Sequence, residues 1–472
     1  MDKLLLSASP VAHGAVDERS THEPANPSAG AQSDAWTRSE HALELFLTHR
    51  GDPASEIDQV LAGAPDFVFG HCLRVGLIVS GDVVGARSSL AASISVIEAA
   101  GPGPDAVARR HAAAARAWLE GDPSRAAEVY GAIVIDQPWD ILALAVAHSL
   151  DFRLGRRRMM LDRLAQVLPE WRDGMPGFAS VLAMYAFALE ENGQLRRAER
   201  LARRALAIDP GHAGAIHVIA HVLEMQGRSA EGLDFLAATE SAWADGSGFS
   251  VHLAWHRALF QLDAADPKLA LATYDAQIAT ARSQGLSVLA DASALLWRLQ
   301  LRDVETGSRW QVLADRWETQ SLAGARPFYV VHAIMALAAA GRAAEARRVL
   351  GTLPRADAIS HSPTVPEDAL LPPFSEALLA FARKDYATCI DLLTHVRHAA
   401  HQCGGSLAQC DLFNLTFTEA AFRAERARLA RALVAQRAAQ KPASRLNRLL
   451  QRRLQVFGPA GDVSALRTPV MS

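Results

Sequence analysis

The amino-acid sequence predicts an all-α fold, a solenoid of about nine helix–turn–helix units that ends in a C-terminal helical cap. Alanine, leucine and arginine, which all favour helices, dominate the chain, and no stretch has the period-2 alternation of a strand. One short phrase also recurs, in which an apolar helix is followed by a tight turn and an alanine-rich helix. Copies of its turn begin at Gly121, Gly193, Gly227 and Gly341.

The spacing of the turns indicates the kind of repeat. The predicted turn positions are Gly81, Gly121, Gly155, Gly193, Gly227, Ala265, Gly341 and Lys384. Neighbouring turns are often 34 or 38 residues apart, and the gap from 265 to 341 is twice 38, which predicts a further turn near Val304. A helix–turn–helix unit with this period is typical of tetratricopeptide repeats.

The composition excludes several classes of protein. The chain has 472 residues, of which 50% are hydrophobic, and 48 Lys and Arg face 51 Asp and Glu. Such a chain has enough apolar residues to form a core, and it lacks the basic excess of a nucleic-acid-binding protein. No run approaches the roughly 18 apolar residues of a membrane helix. The cysteines are few and widely spread, which fits a reducing cytoplasm: Cys72, Cys389, Cys403 and Cys410.

We divide the sequence into four segments. Residues 1–35 and 458–472 are predicted to be flexible tails, and residues 36–422 a tetratricopeptide-like superhelix. Residues 423–457 are predicted to form a basic helical cap that breaks into two helices at 441–444. The cap would cover the open end of the array, and a surface for an acidic partner or an anionic membrane is the alternative.

The histidines form the main functional signal, since 17 histidines stand beside only 5 tyrosines. When the units are aligned on their turns, eight histidines share nearly one stripe of the first helix in six units. In tetratricopeptide superhelices the first helices line the concave groove, so we predict that these residues bind a ligand there: His71, His111, His148, His217, His221, His252, His256 and His332.

Two H-x-x-x-H pairs give the densest part of the stripe. His217 with His221, and His252 with His256, place two imidazoles one helical turn apart, a spacing that chelates a metal ion. Glu224 continues the first stripe. These four histidines are candidate ligands of a divalent metal, zinc or iron. Binding of an organic ligand and a structural polar network are the alternatives.

Several phrases resemble the tetratricopeptide repeat protein 38 family. They are Phe67 to His71, Leu142 to His148, His217 to Met225, His252 to His256, and Gly404 to Ser406 with Ala408, Gln409 and Asp411. The resemblance covers most of the chain and implies a solenoid around a histidine-rich pocket, without a known activity. It also implies that Gln409 and Asp411 face this pocket. Cys410 stands where the family pattern has a basic residue, which puts the charge preference for the ligand in doubt.

Two functions follow as hypotheses. The first is a binding protein whose histidine-lined groove holds a small organic or peptide ligand, with protonated histidines neutralising its carboxylates. The alternative is a metal-dependent hydrolase or oxidase that uses the two H-x-x-x-H pairs, with Glu224 or Asp411 as acid/base. Closure of the superhelix on itself and a homodimer through its ends are two arrangements that the sequence leaves open.

Overall fold

The structure is a computed structural model that describes residues 27–81, 86–100, 106–282, 285–322, 325–351 and 367–457. Within these ranges the chain forms 24 α-helices, two 3-10 segments, one π-helical segment and no strand. The predicted all-α fold is confirmed for this part of the chain. Whether the helices form a tetratricopeptide solenoid stays a prediction.

Helices α1 to α13 occupy the first half of the chain. Their bounds are α1 Pro27–Thr48, α2 Pro53–Gly63, α3 Val68–Ser80, α4 Arg87–Ala99, α5 Ala106–Leu119, α6 Pro123–Asp136, α7 Ile141–Arg153, α8 Arg157–Val167, α9 Phe178–Glu191, α10 Leu195–Ile208, α11 Ala213–Gln226, α12 Ser229–Ala238 and α13 Glu240–Trp243.

Helices α14 to α24 follow. Their bounds are α14 Gly248–Asp263, α15 Pro267–Thr273, α16 Leu286–Gln300, α17 Arg309–Glu318, α18 Pro327–Ala339, α19 Ala343–Gly351, α20 Glu367–Ala382, α21 Tyr386–Val396, α22 Leu407–Arg423, α23 Ala427–Gln440 and α24 Arg445–Phe457.

The helices divide into two compact units. Unit 1 comprises the chain up to Val222 together with Thr239–Ser250, and unit 2 comprises Leu223–Ala238 together with the chain from Val251 onward. In unit 1, α1 packs on α2, α3 on α4, α5 on α6, α7 on α8 and α9 on α10. In unit 2, α16 packs on α17, α18 on α19, α20 on α21 and α22 on α23. Consecutive helices therefore form hairpins, as the recurring phrase predicts.

A left-handed residue ends the first helix of most hairpins. At Gly193 (φ 75°) the amide donates to the Glu190 carbonyl over 2.8 Å, and the next amide donates to the Leu189 carbonyl over 2.8 Å. These two bonds are those of a Schellman cap, which satisfies carbonyls at the helix end. The same pair of bonds and a positive φ recur at Gly121, Gly155, Gly227, Ala265, Asp303, Gly341, Lys384 and Glu425.

The φ angles at the helix ends can be compared with the predicted turn positions. Seven of the eight predicted positions have the left-handed conformation, and Gly81, with a φ of −84°, is the exception. The turn expected near Val304 is confirmed, since Asp303 has a φ of 56°. Aspartate N-caps then begin the following helix at several turns, because the side chain accepts from the amide three residues later: Asp52, Asp122, Asp266 and Asp385.

Helix α22 of unit 2 returns to α16, although five α-helices, α17 to α21, separate them in sequence. The indole Nε1 of Trp297 donates to Thr416 Oγ1 over 2.9 Å, and Arg298 Nη2 donates to the Ala408 carbonyl over 2.9 Å. This packing brings the start of α22 to the helix that follows α14 and α15.

The predicted ends of the folded part are only partly described. Helix α1 begins at Pro27, so the predicted tail boundary at residue 35 falls inside a helix. Residues 1–26 and 458–472 lie outside the described residues. The basic cap breaks between α23 and α24 at 441–444, where the sequence predicts it. Among the described helices, none is both long and apolar enough to cross a membrane.

Candidate functional site

Two histidines of α14 in unit 2 are each held by a carboxylate. His252 and His256 lie one turn apart, and their ring centroids are 4.8 Å from each other. His252 Nδ1 lies 2.7 Å from Asp291 Oδ2, and His256 Nδ1 lies 3.1 Å from Glu224 Oε2. A carboxylate beside Nδ1 keeps the proton on that nitrogen, so Nε2 carries the lone pair. This is the tautomer that binds a metal ion through Nε2.

The two carboxylates have further partners that fix their positions. Gln409 Nε2 donates to Asp291 Oδ1 over 3.4 Å, and the same side chain completes the capping box of α22 with Ser406. Lys441 Nζ lies 3.5 Å from Glu224 Oε1. Each histidine–carboxylate pair is therefore continued by a third group, which limits the motion of both side chains.

Two buried nitrogens near α14 lack a hydrogen-bond partner among the described residues. Trp255 is fully buried and stacks on His252, with ring centroids 5.3 Å apart, and its indole Nε1 has no acceptor. His332 Nδ1 donates to the Phe328 carbonyl over 2.7 Å, while its Nε2 has no partner. An unsatisfied buried polar atom costs about 1–3 kcal/mol, so each marks a place where a ligand or water would stabilise the protein.

Unit 1 contains the other H-x-x-x-H pair on α11. The rings of His217 and His221 are 4.2 Å apart, and His221 Nδ1 lies 3.3 Å from Glu190 Oε2. Ligand atoms of Glu190, Glu191 and His221 all lie within 4.8 Å of one another, which is close enough to hold a metal ion. Arg157 Nε also pairs with Glu191 over 2.7 Å. These buried groups of unit 1 are thus a second histidine–carboxylate cluster.

The remaining predicted ligand histidines lie in different surroundings. His71 is buried between Ser93 Oγ at 3.1 Å and the Pro65 carbonyl at 2.7 Å. His111 is buried and pairs with Asp140 Oδ2 over 2.9 Å. Such pairs are typical of histidines that satisfy a polar neighbour in the core. His148 packs edge-on against Phe187, 5.9 Å between ring centroids.

Burial lowers the pKa of three of the predicted ligand histidines. It lowers the pKa of His148 to about 3 and that of His332 to about 4, and it also lowers the pKa of His71. His148 and His332 are therefore neutral at physiological pH. They cannot supply the positive charge that the first hypothesis assigns to the groove histidines.

The lowered pKa of His332 predicts a loss of stability in acid. The unfolded chain takes up a proton near pH 6.5 and the folded chain only near pH 4, so stability decreases as pH falls through this window. Replacing His332 with glutamine should reduce the loss between pH 7.5 and 4.5 by about 3 kcal/mol. Urea unfolding of the wild type and the H332Q variant at both pH values measures this difference.

The exposed His395 on α21 supplies the control. The H395Q variant should lose as much stability as the wild type between the two pH values. An equal loss in H332Q and the wild type would show that His332 does not titrate in this way.

Asp411, one of the two predicted acid/base residues, is held in an ion pair. Arg437 donates to both of its carboxylate oxygens, at 2.5 and 3.0 Å, and Lys441 Nζ lies 3.9 Å away. Burial raises the pKa of Asp411, but Arg437 and Lys441 lower it more, so the pKa lies well below the usual range. A carboxylate that stays ionised in this way is poorly suited to donate or accept a proton at neutral pH.

The predicted residues fall in both units. His252, His256, Glu224, His332, Gln409 and Asp411 belong to unit 2, whereas His71, His111, His148, His217 and His221 belong to unit 1. The predicted set of four metal ligands is thus divided between the two units and stays a prediction. Asp291 and Arg298 were not among the predicted site residues. Each is an isolated charge in the apolar sequence of α16, and this contrast could have indicated a buried polar role.

The described part of the chain is an all-helical protein with buried histidine–carboxylate groups that are able to hold a metal ion. A comparison with the models of known protein families finds no match for the chain. The resemblance to the tetratricopeptide repeat protein 38 family therefore stays a prediction.

Proposed function

We propose that the protein binds a divalent transition metal through the Nε2 atoms of His252 and His256. One observation carries this proposal: three of the four predicted ligand histidines have a carboxylate oxygen 2.7–3.3 Å from Nδ1, namely His221, His252 and His256. Metal-bound histidines almost always have such an acceptor behind them. A sequence cannot place these acceptors, because they come from other helices.

The chemistry of the pair favours zinc or iron. Imidazole suits both metals, and zinc–nitrogen bonds of about 2.0–2.1 Å are within reach of two histidines at i and i+4. Carboxylates that hold Nδ1 also raise the basicity of Nε2. Burial of His256 at 0% exposure keeps water from competing for its hydrogen bonds.

We infer that the site binds the metal, and we assign no hydrolytic step to Glu224 or Asp411. Glu224 is engaged by His256 and Lys441, and Asp411 is engaged by Arg437. Neither predicted acid/base group is positioned as a free carboxylate beside the proposed metal ligands. The geometry therefore supports binding more directly than the hydrolase or oxidase hypothesis.

The first test measures zinc uptake and its dependence on Asp291. Protein purified without a tag, stripped by a chelator and then reloaded with zinc should retain about one zinc ion per chain after dialysis. In the D291N variant the amide donates to His252 Nδ1 and moves the proton to Nε2, so zinc affinity should fall about 10–100-fold. Competition with a chromophoric chelator measures both affinities.

The D275N variant is the matched control, because Asp275 pairs with Arg309 near the surface of unit 2. Its zinc affinity should equal that of the wild type. If the wild type retains less than about a tenth of an equivalent of zinc or of ferrous iron, the proposed function is wrong.

A second candidate is the binding of a small organic ligand, and the unpartnered nitrogens of Trp255 and His332 favour it. A ligand that offers a hydrogen-bond acceptor to the indole and a donor to the neutral imidazole would satisfy both. Native mass spectrometry of metal-free protein tests this candidate by an added mass that is lost on denaturation. A peptide ligand and a homodimer stay predictions from the sequence.

A further inference from the structure

A small cavity in unit 2 is lined mainly by charged side chains. It has a volume of about 40 Å³ and lies among α14, α16, α22 and the α23–α24 turn. Four cations reach it: Arg298, Arg302, Arg437 and Lys441. Three carboxylates also line it: Glu224, Asp263 and Asp411. The formal charge of this lining is positive by one.

All three carboxylates are already engaged. Asp411 is held by Arg437, and Glu224 lies between Lys441 and His256. Asp263 accepts hydrogen bonds from the Ser229 and Ser444 hydroxyls and from backbone amides at the start of α24. Their charge also attracts Arg298 and Arg302 through space, but their hydrogen bonds are made to other partners.

Arg298 and Arg302 have no carboxylate within 4 Å among the described residues. Arg298 is 4% exposed and donates only to the carbonyls of Ala294 and Ala408. Arg302 donates only to the Leu262 carbonyl, over 3.0 Å. A guanidinium has five N–H donors, so most of the donors on these two side chains are not used by the protein.

Both guanidinium groups nevertheless keep their charge. Burial lowers the pKa of Arg302 to about 10 and also lowers the pKa of Arg298. A group with a pKa near 10 is protonated at neutral pH. The carboxylates that attract them lie more than 4 Å away, so neither guanidinium is hydrogen-bonded to an anion, and such a bond would offset part of the cost of burying its charge.

We propose that this cavity binds the carboxylate group of a small organic acid, with Arg298 and Arg302 as its ligands. The planar fork of a guanidinium matches the two oxygens of a carboxylate. The cavity has room for a small polar group, because its 40 Å³ exceeds the roughly 10–15 Å³ that a single water molecule requires. The proposal does not depend on metal binding at His252 and His256.

The test uses formate as the probe on the full chain. Formate is added at constant ionic strength, balanced by the bulky sulfonate buffer HEPES, and the melting temperature is recorded. We expect the melting temperature of the wild type to rise saturably with the formate concentration. In the R302Q variant the apparent affinity for formate should be at least tenfold lower. The R348Q variant, which removes an exposed arginine of α19, should respond as the wild type does.

A parallel titration with chloride separates a carboxylate site from a general anion site. Equal saturable responses to chloride and formate would overturn the assignment to a carboxylate. An unchanged formate response in R302Q, with R298Q as the second variant, would overturn the proposed ligands. Circular dichroism shows that each variant is folded before its response is compared.

Discussion

Substitution of both His252 and His256 by asparagine is expected to lower the zinc affinity by more than about 100-fold. This loss exceeds the one expected when a carboxylate partner such as Asp291 is removed. The asparagine amide nitrogen stands near the position of Nδ1 and can still donate to Asp291 or Glu224. The H252N/H256N variant thus keeps the carboxylate contacts and removes the two Nε2 atoms. Competition with a chromophoric chelator measures the loss.

The control for this variant uses two exposed histidines, His395 and His398. The H395N/H398N variant should keep the wild-type affinity. Unchanged affinity in H252N/H256N would contradict the proposed ligands. The same change at His217 and His221 tests the separate prediction from the sequence that the H-x-x-x-H pair on α11 also binds the metal.

Replacing Asp263 with alanine is expected to cost about 2–3 kcal/mol of the free energy of unfolding. Its carboxylate accepts from Ser229 Oγ over 2.5 Å and from the amides of Arg445 and Leu446 over 3.2 and 3.4 Å. The variant leaves these donors without an acceptor and removes a negative charge from the N-terminus of α24, where it is favourable. Urea unfolding measures the cost, and proteolysis near residues 441–444 reports the loosening of α24.

The exposed Asp391 on α21 is the matched control, because a surface substitution of this kind changes stability by no more than about 0.5 kcal/mol. A loss in D263A as small as that in D391A would show that Asp263 does not hold α24.

The helical hairpins could be predicted because their information is local. A left-handed glycine followed by an aspartate N-cap occupies only a few residues, as at Gly121 and Asp122. The turn at Asp303 has no glycine, and the spacing of the other turns indicated its position near Val304 instead. Gly81 is the exception, and its extended conformation shows that a glycine in the phrase permits the turn but does not require it.

The partners of the histidines could not be predicted in the same way. Asp291 is 39 residues from His252, and Glu224 is 32 residues from His256, so each pair depends on how hairpins pack. The period of the repeat placed the histidines on one stripe but gave no information on burial. His71 and His111 share that stripe and are nevertheless bound to core neighbours.

Lys441 and Arg437 also show the limit of local reasoning. Both belong to the basic segment that the sequence predicts as a cap, and charge alone would place them at the surface. Instead Arg437 is 6% exposed and pairs with Asp411, and Lys441 pairs with Glu224. The basic cap therefore contributes directly to the candidate site through these two ion pairs.

Diffraction data from zinc-soaked crystals, collected on both sides of the zinc absorption edge, test the central claim most directly. We predict an anomalous peak about 2.0–2.1 Å from the Nε2 atoms of both His252 and His256. Zinc-loaded crystals without a peak at this pair of atoms would contradict the claim.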